Sequence, residues 1–180
     1  MSVAILDTET NYKNEVISIG IVIADDDDLS TLCELYYIVT PECEYPAMFS
    51  GVLYNKAADL IDNRREVLES ILFNFNNYGV SKIFAYNAQF DFQMLPELSD
   101  YDWYDIIRIA AYMQYNNKID CRNCFKTGRL KSSYGVESMF RLLSGNCYYY
   151  EVHNALCDAI DELQIMRMLN VPIEKYIKLK

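Results

Sequence analysis

The chain has 180 residues, and 26 acidic against 16 basic side chains give it a formal charge of −10. That balance argues against purely electrostatic binding of a nucleic acid. With 52% apolar residues, 16 tyrosines and 8 phenylalanines there is ample material for one buried core, so disorder, collagen and repeat arrays are set aside.

The opening Met1-Ser2-Val3-Ala4-Ile5-Leu6-Asp7 lacks the basic region and long apolar stretch of a secretory signal, which points to a cytoplasmic protein. Every apolar run is interrupted well before the ~20 residues needed to span a bilayer, so no membrane association is expected. Without an oxidising compartment, Cys33, Cys43, Cys121, Cys124, Cys147 and Cys157 read mainly as free thiols. Cys121-Arg122-Asn123-Cys124 is half of a zinc knuckle that Cys147 or the single histidine, His153, would have to help complete, and a lone pair of this kind is a weak signal.

Val3 to Leu6 is a continuous apolar run, the pattern of a strand buried on both faces. Glu15 to Ala24 is dominated by β-branched residues, Asp25 to Asp28 forms a charged turn, and Leu32 to Val39 completes a hairpin and third strand. Beyond Pro41 and Pro46, Ala57 to Asn74 carries apolar residues at helical spacing. Gly79 marks a stop, Lys82 to Tyr86 a short strand, Phe90 to Leu98 a helix despite Pro96, and Asp105 to Ile109 another strand. Val136, Met139, Phe140 and Leu143 make one apolar stripe, and a last strong helix covers about Asn154 to Leu169 before Pro172. The order predicts a mixed α/β fold, and no linker-like composition divides residues 1–180 into two domains.

Three acidic blocks carry the chemistry. Asp7 and Glu9 flank Thr8 at the end of the first strand, and a two-residue period sets both carboxylates on one face. Two such charges about 4 Å apart repel by about 4 kcal/mol at an effective dielectric near 20, a cost that a divalent cation reverses. Asp91, in Asn87-Ala88-Gln89-Phe90-Asp91, falls in a strand-to-helix connection, where open α/β sheets bind ligands. His153 and Asp158 can share a site only if His153 sits in the loop and Asp158 in the first turn of the last helix, with Asn154 as N-cap.

In order and spacing these blocks resemble the DEDD superfamily of 3′-to-5′ exonucleases, in its histidine subclass, over about residues 3 to 170. Asp7 with Glu9, Asp91, and His153 with Asp158 in His-x-Ala-x-x-Asp match the three blocks; the tyrosine subclass would have Tyr where Asn154 stands. The resemblance implies a ribonuclease H-like fold, with a central mixed five-stranded sheet flanked by helices. It also implies hydrolysis of phosphodiester bonds with two divalent ions, Mg2+ or Mn2+. On this pattern Asp7, Glu9, Asp91 and Asp158 hold the ions, Asp7 bridging them, and His153 is the general base. The implied partner is single-stranded nucleic acid or a recessed 3′ end, with homodimers or polymerase association in some members. Tyr86, Asn11-Tyr12 and Ser50-Gly51-Val52 depart from common family residues at positions that touch substrate preference.

The charge of −10 is an objection that local patterning can answer. Arg122, Lys126, Arg129 and Lys131 fall in an acid-free stretch that could track phosphates, Arg129 and Lys131 leading the candidates. Tyr148-Tyr149-Tyr150, Tyr12 and Phe49 are candidates for stacking on bases, and Thr8, Ser50 and Asn87 within or beside the blocks join the substrate contacts. A glycosidase leaves His153 unexplained, and a zinc deaminase fails because the Cys pair precedes His153. The remaining alternative is a catalytically weak nucleic-acid- or polymerase-binding module with the same fold.

Overall fold

A computed structural model describes residues 1–179. Strand β1 (Ser2–Thr10) lies at the centre, antiparallel to β2 (Val16–Asp25), which pairs antiparallel with β3 (Thr31–Thr40). Strand β4 (Leu60–Asn63) adds parallel to β3 and leads into helix α1 (Arg64–Tyr78). On the other side β5 (Val80–Ala85) runs parallel to β1, followed by α2 (Gln89–Met94) and then β6 (Asp102–Asp105), parallel to β5. Short α3 (Ile107–Ala110), α4 (Val136–Ser144) and long α5 (Ala155–Leu169) precede β7 (Ile177–Lys178), antiparallel to β6. The sheet order is β4-β3-β2-β1-β5-β6-β7. No helix among the described residues is long and apolar enough to cross a membrane.

The sheet therefore has seven strands where five were expected. Both additions are edges of four and two residues, too short to display a two-residue period. Leu60 and Ile61, expected in a helix, belong to β4; the helix starts at Arg64 because the Asn63 side chain accepts from Arg65 N and Glu66 N at 3.1 and 3.2 Å. The expected strand over Asp105 to Ile109 instead ends at Asp105, whose Oδ1 accepts from Ile107 N at 3.2 Å and opens α3. A four-residue segment such as Ile107–Ala110 is too short to show a period that separates strand from helix. Helix α2 stops at Met94, and Pro96 begins a separate 3-10 turn over Pro96–Leu98.

Alternation along the strands feeds two apolar layers. Val3, Ile5, Val22, Tyr36 and Phe84 pack with Ala159, Leu163 and Met166 of α5. Ala4, Leu6, Ile19, Ile21 and Ile83 pack with Val67, Ile71 and Phe75 of α1. Each large side chain fully buried this way stabilises by about 1.5–3 kcal/mol relative to exposure. The α5 layer sits unusually low over the sheet at Gly20: a Cβ there would lie 2.1 Å from the carbonyl carbon and oxygen of Ala155 and 2.2 Å from Leu156 N. Gly20 is the pairing partner of Asp7, so the glycine lets the start of α5 approach the acidic end of β1.

Gly20→Ala is expected to cost about 2 kcal/mol or more, because helix backbone rather than a side chain must move. Gly51→Ala, where a Cβ meets nothing within 4 Å, is the control and should stay within about 0.5 kcal/mol. Urea denaturation of the two variants beside the parent measures both.

Candidate active site

The end of β1 sends side chains to both layers. Asp7 and Glu9 continue the Val3–Ile5 face toward α5, and Thr8 continues the Ala4–Leu6 face toward α2. There the Asp91 Oδ1 accepts from Thr8 Oγ1 at 2.7 Å and from Thr8 N at 3.1 Å. Thr8 is buried and its hydroxyl is engaged with Asp91. Asp91 is 3% exposed in the first turn of α2, and the turn before it bends at Asn87, whose φ of 65° is left-handed.

The third block approaches from above. His153 takes φ 57° in the loop, Asn154 is extended, and Ala155 begins α5. The Asn154 side chain caps the helix by accepting from Cys157 N at 3.4 Å, and its Nδ2 donates to Tyr36 Oη at 3.0 Å and Val52 O at 3.2 Å. That one buried amide ties the helix start to β3 and the 50–52 turn. The His153 ring stacks on Phe49, with centroids 3.9 Å apart and planes 15° from parallel. The nearby backbone of His153 opposes, as the smallest of the named causes, the upward push that burial gives the Asp158 carboxyl.

One ligand atom each from Glu9, His153 and Asp158 lies within 4.8 Å of the others, about twice a ~2.0–2.6 Å cation–oxygen distance. Burial, with neighbouring carboxylates, pushes Asp158 up to about 8 and Glu9 up to about 7, Glu151 being the leading charge on each. Burial raises Asp91 to about 7 against the opposing bonds from Thr8, and raises Asp7 well above the carboxylate range with help from Asp91, Asp158 and Glu9. Asp7 Oδ2 and Asp158 Oδ1 are buried without a hydrogen-bond partner. Orphaned oxygens within a converging set of carboxylates fit divalent cations of the Mg2+ or Mn2+ kind.

Two acids that the sequence pattern did not single out belong to this neighbourhood. Glu162 is 1% exposed, one helical turn beyond Asp158, and its Oε2 accepts from Tyr86 N at 3.1 Å. Burial and the Asp7 and Asp91 charges push it well above the usual glutamate range. Helical spacing from Asp158 was the available signal. Glu151 is half-buried two residues before His153, and its N–H donates to Glu137 Oε2 at 3.2 Å.

The proposed substrate contacts scatter. Tyr12, Tyr148 and Tyr150 are exposed, whereas Tyr149 stacks on Phe140 at 4.0 Å and donates its hydroxyl to Asp161. The acid-free basic stretch is not one track. Arg122 pairs with Asp120, Lys131 Nζ donates to Arg122 O at 3.3 Å on a separate depression, and Arg129 lies over the Tyr134 ring at 4.8 Å. Ser50 is exposed and its hydroxyl donates to Ala47 O at 3.3 Å, and Asn87 N donates to Asp105 Oδ1 at 3.2 Å. His153 gathers with acids, and among the described residues no cysteine joins a grouping able to hold a metal.

The raised carboxylates fix a sign. A group whose folded pKa exceeds its unfolded value stabilises fully below the unfolded pKa, and that stability is lost as pH rises through the folded one. For Glu9, Asp91 and Asp158 the window runs from ordinary values of 3.8 and 4.5 to about 7 and about 8. Thermal melts without cations should therefore fall by several degrees between the bottom and top of that window, and Mg2+ or Mn2+ should restore more at the alkaline end. Asp158→Asn should melt no lower than the parent at the alkaline end without cations, and should lose most of the cation-induced shift.

No protein-family model and no curated protein matches the chain. Solved structures do share its fold. The nuclease domain of 3′hExo, a DEDDh family member bound to rAMP, aligns with a TM-score of 0.70 and 14% identity over 99% of this chain and 96% of that one. A 3′-exonuclease in specific recognition of the 3′ end of a histone mRNA stem-loop aligns at 0.65 and 14%, covering 99% of this chain and 70% of its own. Escherichia coli exonuclease I in complex with a dA16 oligonucleotide aligns at 0.63 and 15%, over 97% of this chain and 41% of that one. The seven-stranded mixed sheet and its flanking helices are thus the ribonuclease H-like exonuclease fold.

Proposed function

We propose that the protein is a cation-dependent 3′-to-5′ exonuclease that hydrolyses phosphodiester bonds of single-stranded DNA or RNA. The observation that carries this reading is the grouping of Glu9, His153 and Asp158 within 4.8 Å, with Asp7 in the field of Asp91, Asp158 and Glu9 and with buried oxygens of Asp7 and Asp158 left unpartnered. The likeness to 3′-exonucleases in fold supports it.

Asp7, Glu9, Asp91 and Asp158 would hold two divalent cations, Mg2+ or Mn2+. When bound, such ions neutralise charge on the reacting phosphate and make an adjacent water more acidic. Asp91 keeps its orientation through the two bonds from Thr8. His153 is the general base: its ring nitrogen, grouped with Glu9 and Asp158, is placed to take the proton of the attacking water. Phe49 stacks on its ring and restricts the angle from which that proton is accepted. Glu151 is the leading charge acting on Glu9 and Asp158, and Glu162 lies in the field of Asp7 and Asp91, so both deepen the crowding that a bound cation would relieve. Tyr12 and Tyr148 are exposed aromatic side chains available to bases, and Tyr150 is exposed with the Arg141 guanidinium over its ring at 5.0 Å.

A 5′-labelled single strand incubated with Mg2+ or Mn2+ should shorten progressively from its 3′ end, and should stay intact with chelator. Asp7→Asn and Asp158→Asn should abolish shortening while the far-ultraviolet spectrum is retained. His153→Ala should slow it by about a hundred- to ten-thousand-fold. Matched DNA and RNA oligomers assayed side by side give the sugar preference. A strand that is retarded on a gel but never shortened would refute turnover and leave the binding-module reading in its place.

A further inference from the structure

A second depression lies beside the acids and contains none of them. It is a cavity of about 880 Å³ at the carboxyl ends of β5 and β6, with Tyr86 and Asn87 on one side and residues of the 107–135 stretch on the other. That volume is in the upper part of the ~300–1,000 Å³ range of small-ligand sites. Asn87 belongs to both places: it lines the cavity and begins the turn that carries Asp91.

The charge inside the cavity is opposite to that of the protein as a whole. Arg129 lies over the Tyr134 ring and forms no ion pair among the described residues. Arg108 reaches Asp105 Oδ2 through Nε at 3.3 Å and remains 44% exposed. Asp105, the one acid in the lining, is occupied by Arg108 and by the backbone N–H groups of Asn87 and Ile107. In a chain of net charge −10 the free charge here is a guanidinium, with the Tyr134 ring beneath it and Tyr115 also in the lining.

The walls are also fixed before any ligand arrives. Tyr86 Oη donates to Tyr134 O at 2.6 Å across the cavity. Met113 N donates to Gly128 O at 3.0 Å, Leu130 N to Ala111 O at 2.9 Å, and Gln114 Nε2 to Thr127 O at 2.8 Å. A guanidinium for phosphate and aromatic faces for bases, in a preformed cleft, is the chemistry of a single-strand nucleotide site.

We propose that this cleft binds nucleotides of the substrate strand on the 5′ side of the bond being cut, with Arg129 and Arg108 on their phosphates and Tyr115 and Tyr134 against their bases. The assignment rests on the exonuclease reading. The cleft lacks the carboxylates that would serve the reacting phosphate, and it opens from the turn that carries one of them, so the unreacted length of strand leads into it. Free nucleoside monophosphate offers the same phosphate and base, and the experiment separates the two sources.

The test uses the full chain and Arg129→Glu, Arg129→Gln, Arg129→Lys and Tyr115→Ala, each checked by thermal melt against the parent. Steady-state kinetics compare a long single strand with a dinucleotide. Fluorescence anisotropy in chelator measures binding of the long strand, and calorimetry in chelator measures binding of adenosine monophosphate. Arg129→Glu should raise KM on the long strand relative to the dinucleotide by about tenfold or more, with Arg129→Lys recovering most of the difference. Tyr115→Ala should weaken long-strand binding by about fivefold or more. Arg129→Gln should lower the slope of log affinity against log salt by about 0.7. Equal long-strand KM and affinity in parent and Arg129→Glu would overturn the proposal, as would loss of nucleotide binding alone. If the parent cleaves nothing, the exonuclease reading fails by itself, and the anisotropy series still decides whether strand occupies the cleft.

Discussion

The approach of α5 to the β1–β2 pair at Gly20 is the contact on which the acid pocket depends. A helix normally stands off a sheet by the thickness of two side chains, and here one of them is absent. Ala155, three residues before Asp158, fills the space, and the Asp7 partner position lies beneath it. Any residue larger than glycine at that point would lift the acids of α5 away from those of β1. The apolar packing of Ala159, Leu163 and Met166 on the same face then supplies the free energy that holds the helix down.

That free energy is opposed. Asp7, Asp91, Asp158 and Glu162 are all taken from water, and each lies in the field of others, which drives every one of them toward the protonated form. Few hydrogen bonds relieve the crowding, and the pair that Thr8 gives Asp91 has a positional effect, fixing that carboxylate against β1. The turns that deliver Asp91 and His153 each contain a non-glycine residue in the left-handed region, Asn87 at φ 65° and His153 at φ 57°. Such residues cost on the order of 1–3 kcal/mol and persist where the surroundings dictate them. Destabilisation by charge and by backbone therefore falls on the same few residues, and it is the unpartnered oxygens of Asp7 and Asp158 that bound cations would relieve.

Much of this was legible before any coordinates. The continuous apolar run of β1, the β-branched hairpin and the spacing of α5 each announce themselves, because a long element repeats its period several times. Asn154 is readable as a cap because a loop position for His153 requires one. The edges β4 and β7, and the exchange of strand for helix after Asp105, are not legible, because two to four residues carry no period. The bond from Thr8 to Asp91 is not legible either, because the partner arrives from another layer of the fold.

The sequence by itself determined the kinds of chemistry available: which carboxylates end which elements, which histidine precedes which helix, and how much apolar material there is to bury them. These are local properties, written in neighbours and periods. Only the tertiary structure decided which of those groups meet. It joined Glu162 and Glu151 to the acids, separated Arg129 from Lys131 although they are two residues apart, and set Arg108 and Arg129 in one cleft. The physical reason is that burial and electrostatic coupling depend on distance through space, and the chain brings together what its order keeps apart.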